Sequence, residues 1–436
     1  ARRGGAVATS VGRRRATRRP YLRGYSAEPM DPAGPLRRDR AAAPLRLAIL
    51  MSHPIQYHVP IFRELAARDD VDLTVYFCWD FGIRETYDRE FGRVIKWDVP
   101  MLGGYEHRFL PNWSPRPGPT FFGEINPSIV STLIRGRFDA VLVYGYSHLT
   151  SWFAFLGAKL SGTPLLLRGI SHLLDERPGW VRAAKRLLLP FVFRLPRFCL
   201  YIGAHNRAYY EAYGVDDDRL LHTPHVVDNR FFARHAAELA PQRAEVRASF
   251  GIHDDAPVIL FPGKLVEWKN PLMTLEAFRR VRTRHRCHLL YAGEGAQRGE
   301  LEEAIRQGAV PDVVVAGFLN QTEMPRAYAA ADILCLPSRA TETWGLVVNE
   351  GMSFGLPVIV SDRVGCGVDL ARDGENGFVV DSVDALERAL EALVADADLR
   401  SRYGARSREI IASWGVPECA DGIVGAVRRI VEERGA

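Results

Sequence analysis

The sequence predicts an α/β fold made of two Rossmann-like domains in series, which face each other across an interdomain cleft. At 436 residues and 48.8 kDa the chain exceeds the size at which one hydrophobic core stops growing. From Leu45 onward, short apolar runs alternate with helical stretches, which is typical of parallel sheets built from βαβ units. The alternation occurs twice, and the intervening Asp228 to Asp255 has helical composition without a strand.

The predicted strands are short and rich in β-branched or other apolar residues. In the first half they are Leu47–Met51, Leu73–Cys78, Ala140–Tyr144, Pro164–Arg168 and Cys199–Ile202. In the second half they are Val258–Phe261, His288–Tyr291, Val313–Ala316, Ile333–Leu336, Pro357–Val360 and Phe378–Val380. We therefore expect a disordered basic tail (1–44), a first domain (45–225), a linker (226–256), a second domain (257–405) and C-terminal helices packing back toward the first domain (406–436).

Charge argues against nucleic-acid binding. The formal net charge is +5, but residues 1–40 contain eleven arginines and three acids, a local balance of +8 that leaves −3 for the remainder. A nucleic-acid-binding domain keeps positive charge on its folded surface. The Arg-rich start has no apolar periodicity, and three interpretations stay open: a disordered tail, a translated upstream stretch before Met30, or an organellar transit peptide.

The six cysteines lie apart from one another, without a CxxC pair or metal-ligand spacing. They predict reduced core thiols and a cytoplasmic protein. No run of eighteen apolar residues predicts a membrane span. Residues 177–197 are basic on one face, which fits either peripheral contact with anionic lipid at the inner face of the membrane or, more simply, an ordinary amphipathic helix with a solvated face.

A cluster of positive charge follows the first strand of the second half. Gly263 and Lys264 come directly after this strand, and Lys269 precedes Asn270-Pro271, a good start for a helix. A helix N-terminus beside two ammonium groups would suit a diphosphate. The alternative is two solvated lysines beside an ordinary loop.

Two glutamates, Glu342 and Glu350, follow the strand that ends at Leu336. Gly345 and Gly355-Leu356-Pro357 bracket a short helix that contains Glu350, whereas Glu342 lies in the loop before it. We therefore expect Glu342 to face a ligand bound over the carboxyl ends of the strands. Glu350, about two turns further along the segment, should lie deeper in the site and contact a more distant part of that ligand.

Taken together, these motifs resemble glycosyltransferase family 4, retaining enzymes of the GT-B fold. The motifs occur in order: Gly263-Lys264 to Lys269, Gly293-Glu294-Gly295, Pro337-Ser338, the E-x7-E pair Glu342 and Glu350, Gly355-Leu356-Pro357-Val358, and Asp373-Gly374 to Asn376-Gly377. The resemblance covers residues 45 to 430 and is strongest in the second half.

The resemblance implies that Gly263, Lys264 and Lys269 bind the diphosphate of a nucleotide-sugar donor. Many members of this family have arginine where this chain has Lys264. A lysine ammonium cannot form the two parallel hydrogen bonds to phosphate that an arginine guanidinium forms. It further implies that Glu342 contacts the transferred sugar and that Glu350 hydrogen-bonds the ribose. Two further sets complete the implied donor site: backbone N–H groups of Trp344, Gly345 and Leu346 near the sugar and distal phosphate, and Phe318 and Leu319 beside the base.

The acceptor side is less specified. Many relatives have a Gly-Gly turn where this chain has residues 52–58, so His53, Gln56 and His58 are candidates only because they follow a strand. His148 follows the strand ending at Tyr144, and the family often has a histidine near the acceptor there. Arg168 ends the next strand and should face either the cleft or solvent.

These features predict transfer of a sugar from a nucleoside diphosphate to an acceptor hydroxyl, with Glu342, Lys264, Lys269 and His148 as catalytic residues. No strand end shows the paired aspartates of a metal-dependent transferase, so we expect neither metal nor cofactor. The acceptor stays open between a carbohydrate, a lipid-linked glycan and a small molecule, and so does the oligomeric state. The alternatives are an epimerase or phosphorylase of the same architecture, or a non-catalytic protein that binds a nucleotide sugar or a glycan.

Overall fold

The computed structural model describes residues 43–435 apart from residues 84, 89–91, 175–177 and 341. The predicted basic tail therefore lies outside the described residues except for its last two positions, and so does Arg177 of the predicted basic face.

The first domain is built on seven parallel strands in the order β5-β2-β1-β6-β7-β8-β9. They are β1 (Leu45–Met51), β2 (Val71–Phe77), β5 (His107–Phe109), β6 (Ala140–Tyr144), β7 (Leu165–Arg168), β8 (Phe198–Tyr201) and β9 (Leu220–His222). A separate antiparallel pair, β3 (Thr86–Asp88) and β4 (Arg93–Ile95), lies between β2 and β5 in the chain. The central strands are almost wholly buried, as expected where helices cover both faces of a parallel sheet.

Helices cover both faces of this sheet. One face packs against α2 (Ser128–Gly136), α3 (Leu149–Ser161), α4 (Gly179–Val192) and α5 (Ala204–Ala212). The other packs against α1 (Val59–Ala66) and α15 (Val416–Gly435), the C-terminal helix.

The second domain has six parallel strands in the order β12-β11-β10-β13-β14-β15. They are β10 (Val258–Pro262), β11 (His288–Ala292), β12 (Val313–Gly317), β13 (Ile333–Leu336), β14 (Val358–Ser361) and β15 (Gly377–Val380). On one face lie α8 (Pro271–Arg282), α9 (Arg298–Gln307) and α13 (Val383–Ala395). On the other lie α6 (Asn229–Leu239), α7 (Arg243–Ser249), α10 (Met324–Ala330), α11 (Leu346–Ser353), α12 (Gly367–Leu370) and α14 (Ala397–Ile411).

Two parallel α/β domains are therefore confirmed. The chain crosses between them twice, before α6 and between α14 and α15. The predicted boundary at residue 405 falls inside α14, whose Ile410 and Ile411 pack into the second domain. The second crossing comes after Ala412, where Trp414 contacts both Trp344 and His222.

Residues 397–435 include one window apolar enough to cross a bilayer, with a mean hydropathy of 1.2, but 56% of it is buried. The stretch comprises two helices, and α15 places Cys419, Ile423 and Val427 in the core of the first domain. The window is thus accounted for by core packing. All six cysteines are free and buried, which confirms the predicted core thiols.

Candidate functional site

The order of the strands places a topological switch point in each sheet. In the second sheet, β10 and β13 are neighbours from which the chain proceeds in opposite directions; in the first sheet, β1 and β6 have this relation. Loops diverge at such points and leave a crevice beyond the carboxyl ends of the strands. Most of the predicted donor residues follow β10 and β13, whereas Phe318 and Leu319 follow β12. Most of the predicted acceptor residues follow β1 and β6.

Lys269 and Glu342 meet at the switch point of the second domain. The Lys269 ammonium forms an ion pair with Glu342 Oε2, and Ser338 Oγ donates to the same oxygen at 3.2 Å. Both charged side chains are about nine-tenths buried, with 9% and 12% of their surface exposed. A Cβ at Gly263 would lie 3.9 Å from Lys269 Nζ. Lys264 is the next residue along the loop and is partly buried.

The loop after β10 is held by close backbone packing. Gly263 N–H donates to Ala292 O at 2.9 Å, and Leu265 N–H donates to Glu294 O at 2.8 Å. A Cβ at Gly293 would lie 1.7 Å from Gly263 O, so only glycine permits this approach. The Gly293-Glu294-Gly295 motif therefore supports the shape of the lysine loop.

The helix start at Asn270-Pro271 is confirmed, but the predicted cap is wrong in its details. Asn270 has a left-handed conformation (φ 64°) and makes no side-chain capping bond. Its amide instead donates to Pro337 O at 3.3 Å. Asn270 thus joins the loop after β10 to the loop after β13, and this bond helps to bring Lys269 and Glu342 together.

The segment from Glu342 to Glu350 has the predicted form. Gly345 turns the chain with φ 96°, and α11 begins at Leu346. Gly365 N–H donates to Glu342 O and Cys366 N–H donates to Trp344 O, both at 2.9 Å. The Trp344 indole is buried and donates to Asn349 at 2.9 Å, so only its backbone is available for the predicted contact with a ligand.

Glu350 lies 2% exposed on α11 and accepts hydrogen bonds from both domains. Tyr328 OH donates to Glu350 Oε2 at 2.5 Å. Tyr57, from the loop after β1, and Gln321 are its other partners. Burial raises the pKa of Glu350 to about 7, and these hydrogen bonds act in the opposite direction.

A second bridge between the domains lies beside the segment predicted to face the base. The rings of Phe318 and Trp97 have centroids 6.4 Å apart, and Asn320 Nδ2 donates to Lys96 O at 2.8 Å. Leu319 packs against the core of the second domain. With the Tyr57 contact, this bridge closes the cleft over the donor residues.

The acceptor-side histidines His53 and His148 lie near each other at the switch point of the first domain. His53 is packed edge-on against Phe81 with centroids 5.1 Å apart, and burial, followed by His148, lowers its pKa to about 4. Both imidazoles are thus neutral near pH 7, since burial also lowers the pKa of His148. Gln56, in the same loop, hydrogen-bonds Tyr57.

Glu124 stands behind His148. Its carboxyl is 2% exposed, with Oε1 3.7 Å from His148 Nδ1. Burial raises the pKa of Glu124 to about 7, and a hydrogen bond from Cys78 opposes the rise. A buried carboxyl with a pKa near 7 beside an imidazole is typical of functional sites.

His58 and Arg168 are not at the surface. Arg168 is 1% exposed and donates from Nη2 to Thr223 O at 3.1 Å and Pro224 O at 3.0 Å, so it joins β7 to the chain after β9. The expectation that it faces cleft or solvent is wrong, because these buried carbonyls bind it. His58 is buried against Tyr144, with ring centroids 5.0 Å apart.

Sequence reasoning missed Tyr57, Gln321 and Glu124. Tyr57 lies between two residues that were considered, and Gln321 follows the predicted base segment. Neither residue has a local pattern, since each acts by reaching Glu350 in the fold. The only signal for Glu124 was an acidic residue beside Asn126-Pro127, which is common in loops.

Residues 242–410 match the family model described as glycosyl transferases group 1. Among curated proteins, the alpha-D-kanosaminyltransferase of Streptomyces kanamyceticus is 30% identical over 44% of this chain and 51% of its own length. The D-inositol 3-phosphate glycosyltransferase of Xylanimonas cellulosilytica is 31% identical over 51% of this chain and 54% of its own length. The chain thus spans about half the length of the curated relatives it matches.

Solved structures are similar over nearly the whole fold. A glycosyltransferase from Rickettsia africae superposes with a TM-score of 0.68 at 15% identity, covering 89% of this chain and 99% of that one. Anabaena HepE in complex with UDP and glucose gives 0.64 at 15% identity, with 88% and 99% covered. WaaG, a lipopolysaccharide-biosynthesis glycosyltransferase, gives 0.60 at 18% identity, with 88% and 99% covered. At these identities the likeness establishes the fold, GT-B, which confirms the predicted class.

Proposed function

From the match of residues 242–410 to the family model of group 1 glycosyl transferases, we propose that this protein transfers a hexose-like sugar from a nucleoside diphosphate to an acceptor hydroxyl. The transfer retains the anomeric configuration and uses neither metal nor cofactor. The acceptor is a carbohydrate, a lipid-linked glycan or a small molecule. The free, buried cysteines support a cytoplasmic location.

One observation supports this proposal above the others, the buried ion pair of Lys269 and Glu342 at the switch point of the second sheet. Removing two charges from water is costly, and an ion pair of this kind adds little to stability. A carboxylate and an ammonium in one crevice suit a nucleotide sugar, which presents sugar hydroxyls to the first and an anionic diphosphate to the second. Glu342 would accept hydrogen bonds from sugar hydroxyls, and Lys269 would bind the diphosphate.

Charge stabilisation is the main chemical task in such a reaction. As the sugar leaves, negative charge grows on the diphosphate, where Lys264, Lys269 and the N-terminus of α8 would stabilise it. Lys269 would then exchange its contact with Glu342 for one with the phosphate, which frees the carboxylate for the sugar. Among the described residues, no group of three His, Cys, Asp or Glu side chains is arranged to bind a metal ion.

Glu350 and Tyr57 would complete the donor site. If Glu350 binds the ribose hydroxyls, Tyr57 must move or share that carboxylate when a nucleotide enters, because its hydroxyl occupies it in the closed cleft. Closure over the donor would exclude water and limit hydrolysis. On the acceptor side, His148 would orient the attacking hydroxyl.

The test is transfer activity in Lys269→Ala and Glu342→Gln. We expect loss of at least about a hundredfold in kcat for each, as for removal of a group that stabilises transition-state charge. Glu267→Gln is the matched control: it makes the same chemical change two residues from Lys269, on a side chain that is 81% exposed. Full activity in either site variant, with normal melting, would contradict the proposal.

The donor can be found by thermal shift with UDP, GDP, dTDP and ADP. A ligand at a hundred times its Kd stabilises the folded state by about 2.7 kcal/mol. Wild-type protein should be stabilised by one of these nucleotides and Lys269→Ala by none. Product analysis then separates transfer from epimerisation and from binding without turnover.

A further inference from the structure

Helices α3 and α4 expose an unusual number of large apolar side chains. On α4, Trp180 is 75% exposed, Leu187 68%, Leu188 59% and Phe191 60%. On α3, the exposed apolar residues Trp152, Leu156 and Leu160 are spaced four apart and so form one stripe. We call these seven residues the apolar face.

The two helices expose their apolar residues on the same side of the domain. Ala154 and Phe155 of α3 and Leu189 and Val192 of α4 are buried in one core cluster, against the same face of the first sheet. Because these buried sides point toward the sheet, the exposed sides of both helices point away from it. Several large apolar side chains exposed on one side of a domain mark an interaction surface, unlike single exposed leucines.

Positive charge lies beside the apolar face. Residues 178–197 contain five basic residues and no acid, although residues 41–436 as a whole have a net charge of −3. Arg197 is paired with Glu433 at 2.6 Å. Arg182 and Arg186, one helical turn apart, line a groove of about 640 Å³ together with Leu187.

We propose that the apolar face docks onto the surface of a bilayer that contains anionic lipids. An amphipathic helix with Trp, Leu and Phe on one side and arginines beside them lies in the plane of the interface, with its apolar side in the acyl boundary. Arg182 and Arg186 bind lipid phosphates in the groove, and Trp180 lies at the level of the headgroups.

Charge favours a bilayer over a second copy of the chain. In a two-fold dimer the same patch meets itself, so the basic residues of both copies would lie in one interface to which residues 178–197 contribute no acid. An anionic membrane surface instead attracts them. The docking requires no transferase activity and stands apart from the proposed reaction.

The test is co-sedimentation of the full chain with vesicles of phosphatidylcholine alone or of phosphatidylcholine mixed with phosphatidylglycerol. The Arg-rich residues 1–40 are present in every variant, so their attraction to anionic vesicles is a constant background. Wild type should bind the mixed vesicles more than the neutral ones. Leu187→Ser combined with Phe191→Ser keeps the net charge and should weaken partitioning at least about tenfold.

Matched controls distinguish binding through the apolar face from nonspecific hydrophobic binding and from nonspecific electrostatic attraction. Val368→Ser combined with Val379→Ser changes two residues that are 46% and 39% exposed on the second domain, and should bind as wild type does. Arg182→Gln with Arg186→Gln should weaken binding to mixed vesicles more than Arg230→Gln with Arg234→Gln, which removes equal charge from exposed positions.

Two outcomes would overturn the proposal. One is unchanged binding in the Leu187/Phe191 variant with a normal melting curve, which would assign membrane affinity to residues 1–40. The other is a wild-type dimer in sedimentation velocity that this variant abolishes without any loss of vesicle binding, because a second copy would then cover the face.

Discussion

Replacing Glu350 with glutamine should remove one contribution to the pH dependence of the protein's stability, a contribution that falls as the pH rises. Burial raises the pKa of this carboxyl from 4.5 to about 7 in the folded chain. Between these values the folded protein keeps a proton that the unfolded chain has released. The contribution of Glu350 to the free energy of unfolding is therefore greatest below pH 4.5 and is lost as the pH rises to 7.

The size of the effect follows from the difference between the two pKa values. At about 1.4 kcal/mol for each unit, it corresponds to about 3 kcal/mol between pH 4 and pH 8. Glutamine cannot ionise, so the unfolding free energy of Glu350→Gln minus that of wild type should rise by this amount across the range. Glutamine keeps one carbonyl oxygen that can accept from Tyr328, and any weakening of this bond changes the stability of the variant by an amount that does not depend on pH in this range.

The assay is urea unfolding of both proteins at several pH values, followed by tryptophan fluorescence and far-UV circular dichroism. The free energies are comparable where the two signals give coincident transitions. Glu267→Gln, at a side chain that is 81% exposed, is the control and should run parallel to wild type. Parallel curves for Glu350→Gln and wild type would refute the argument that Glu350 is held protonated by burial.

Two further predictions concern the turn after β13 and the acceptor side. Gly345→Ala should abolish transfer and lower the melting temperature, since its φ is 96° and an added Cβ would lie 3.0 Å from Leu336 and 3.1 Å from Val364; a variant with wild-type activity would contradict this. Glu124→Gln should remove a rise in kcat/KM near pH 7, because burial raises the pKa of Glu124 to about 7 and its carboxylate would orient His148 above that pH. The same rise in the variant would exclude Glu124 from this role.

The backbone arrangement on the predicted donor side could be inferred from the sequence because it depends on local patterns. Only glycine fits where two backbone segments come into close contact, as Gly293 does with Gly263. Each such contact can therefore be recognised in the sequence as a glycine at a specific position. The predicted strands β10, β11 and β13 lie within one residue of their observed ends because buried parallel strands are continuous apolar runs. The roles of Lys264, Lys269 and Glu350 stay predictions that rest on this geometry.

What could not be predicted depends on contacts between distant segments. Arg168 ends a strand in the sequence, as a cleft residue would, but the carbonyls of Thr223 and Pro224 bind it inside the domain. The short edge strands β5 and β9 have only three residues each, too few for a periodic signal.

The loop after β1 shows why the acceptor side is harder to recognise than the donor side. A Gly-Gly turn there would let a ligand approach the backbone, and its absence left the loop without a motif. The structure fills the same position with side chains: His53 lies near His148, and Tyr57 reaches Glu350 across the cleft. Phosphates and ribose are common to all nucleotide sugars and can be bound by a constant set of glycines, lysines and glutamates. Acceptors differ in chemistry, so the side chains that bind them should differ as well, and the fold specifies only that they lie beyond the carboxyl ends of the strands at the switch point.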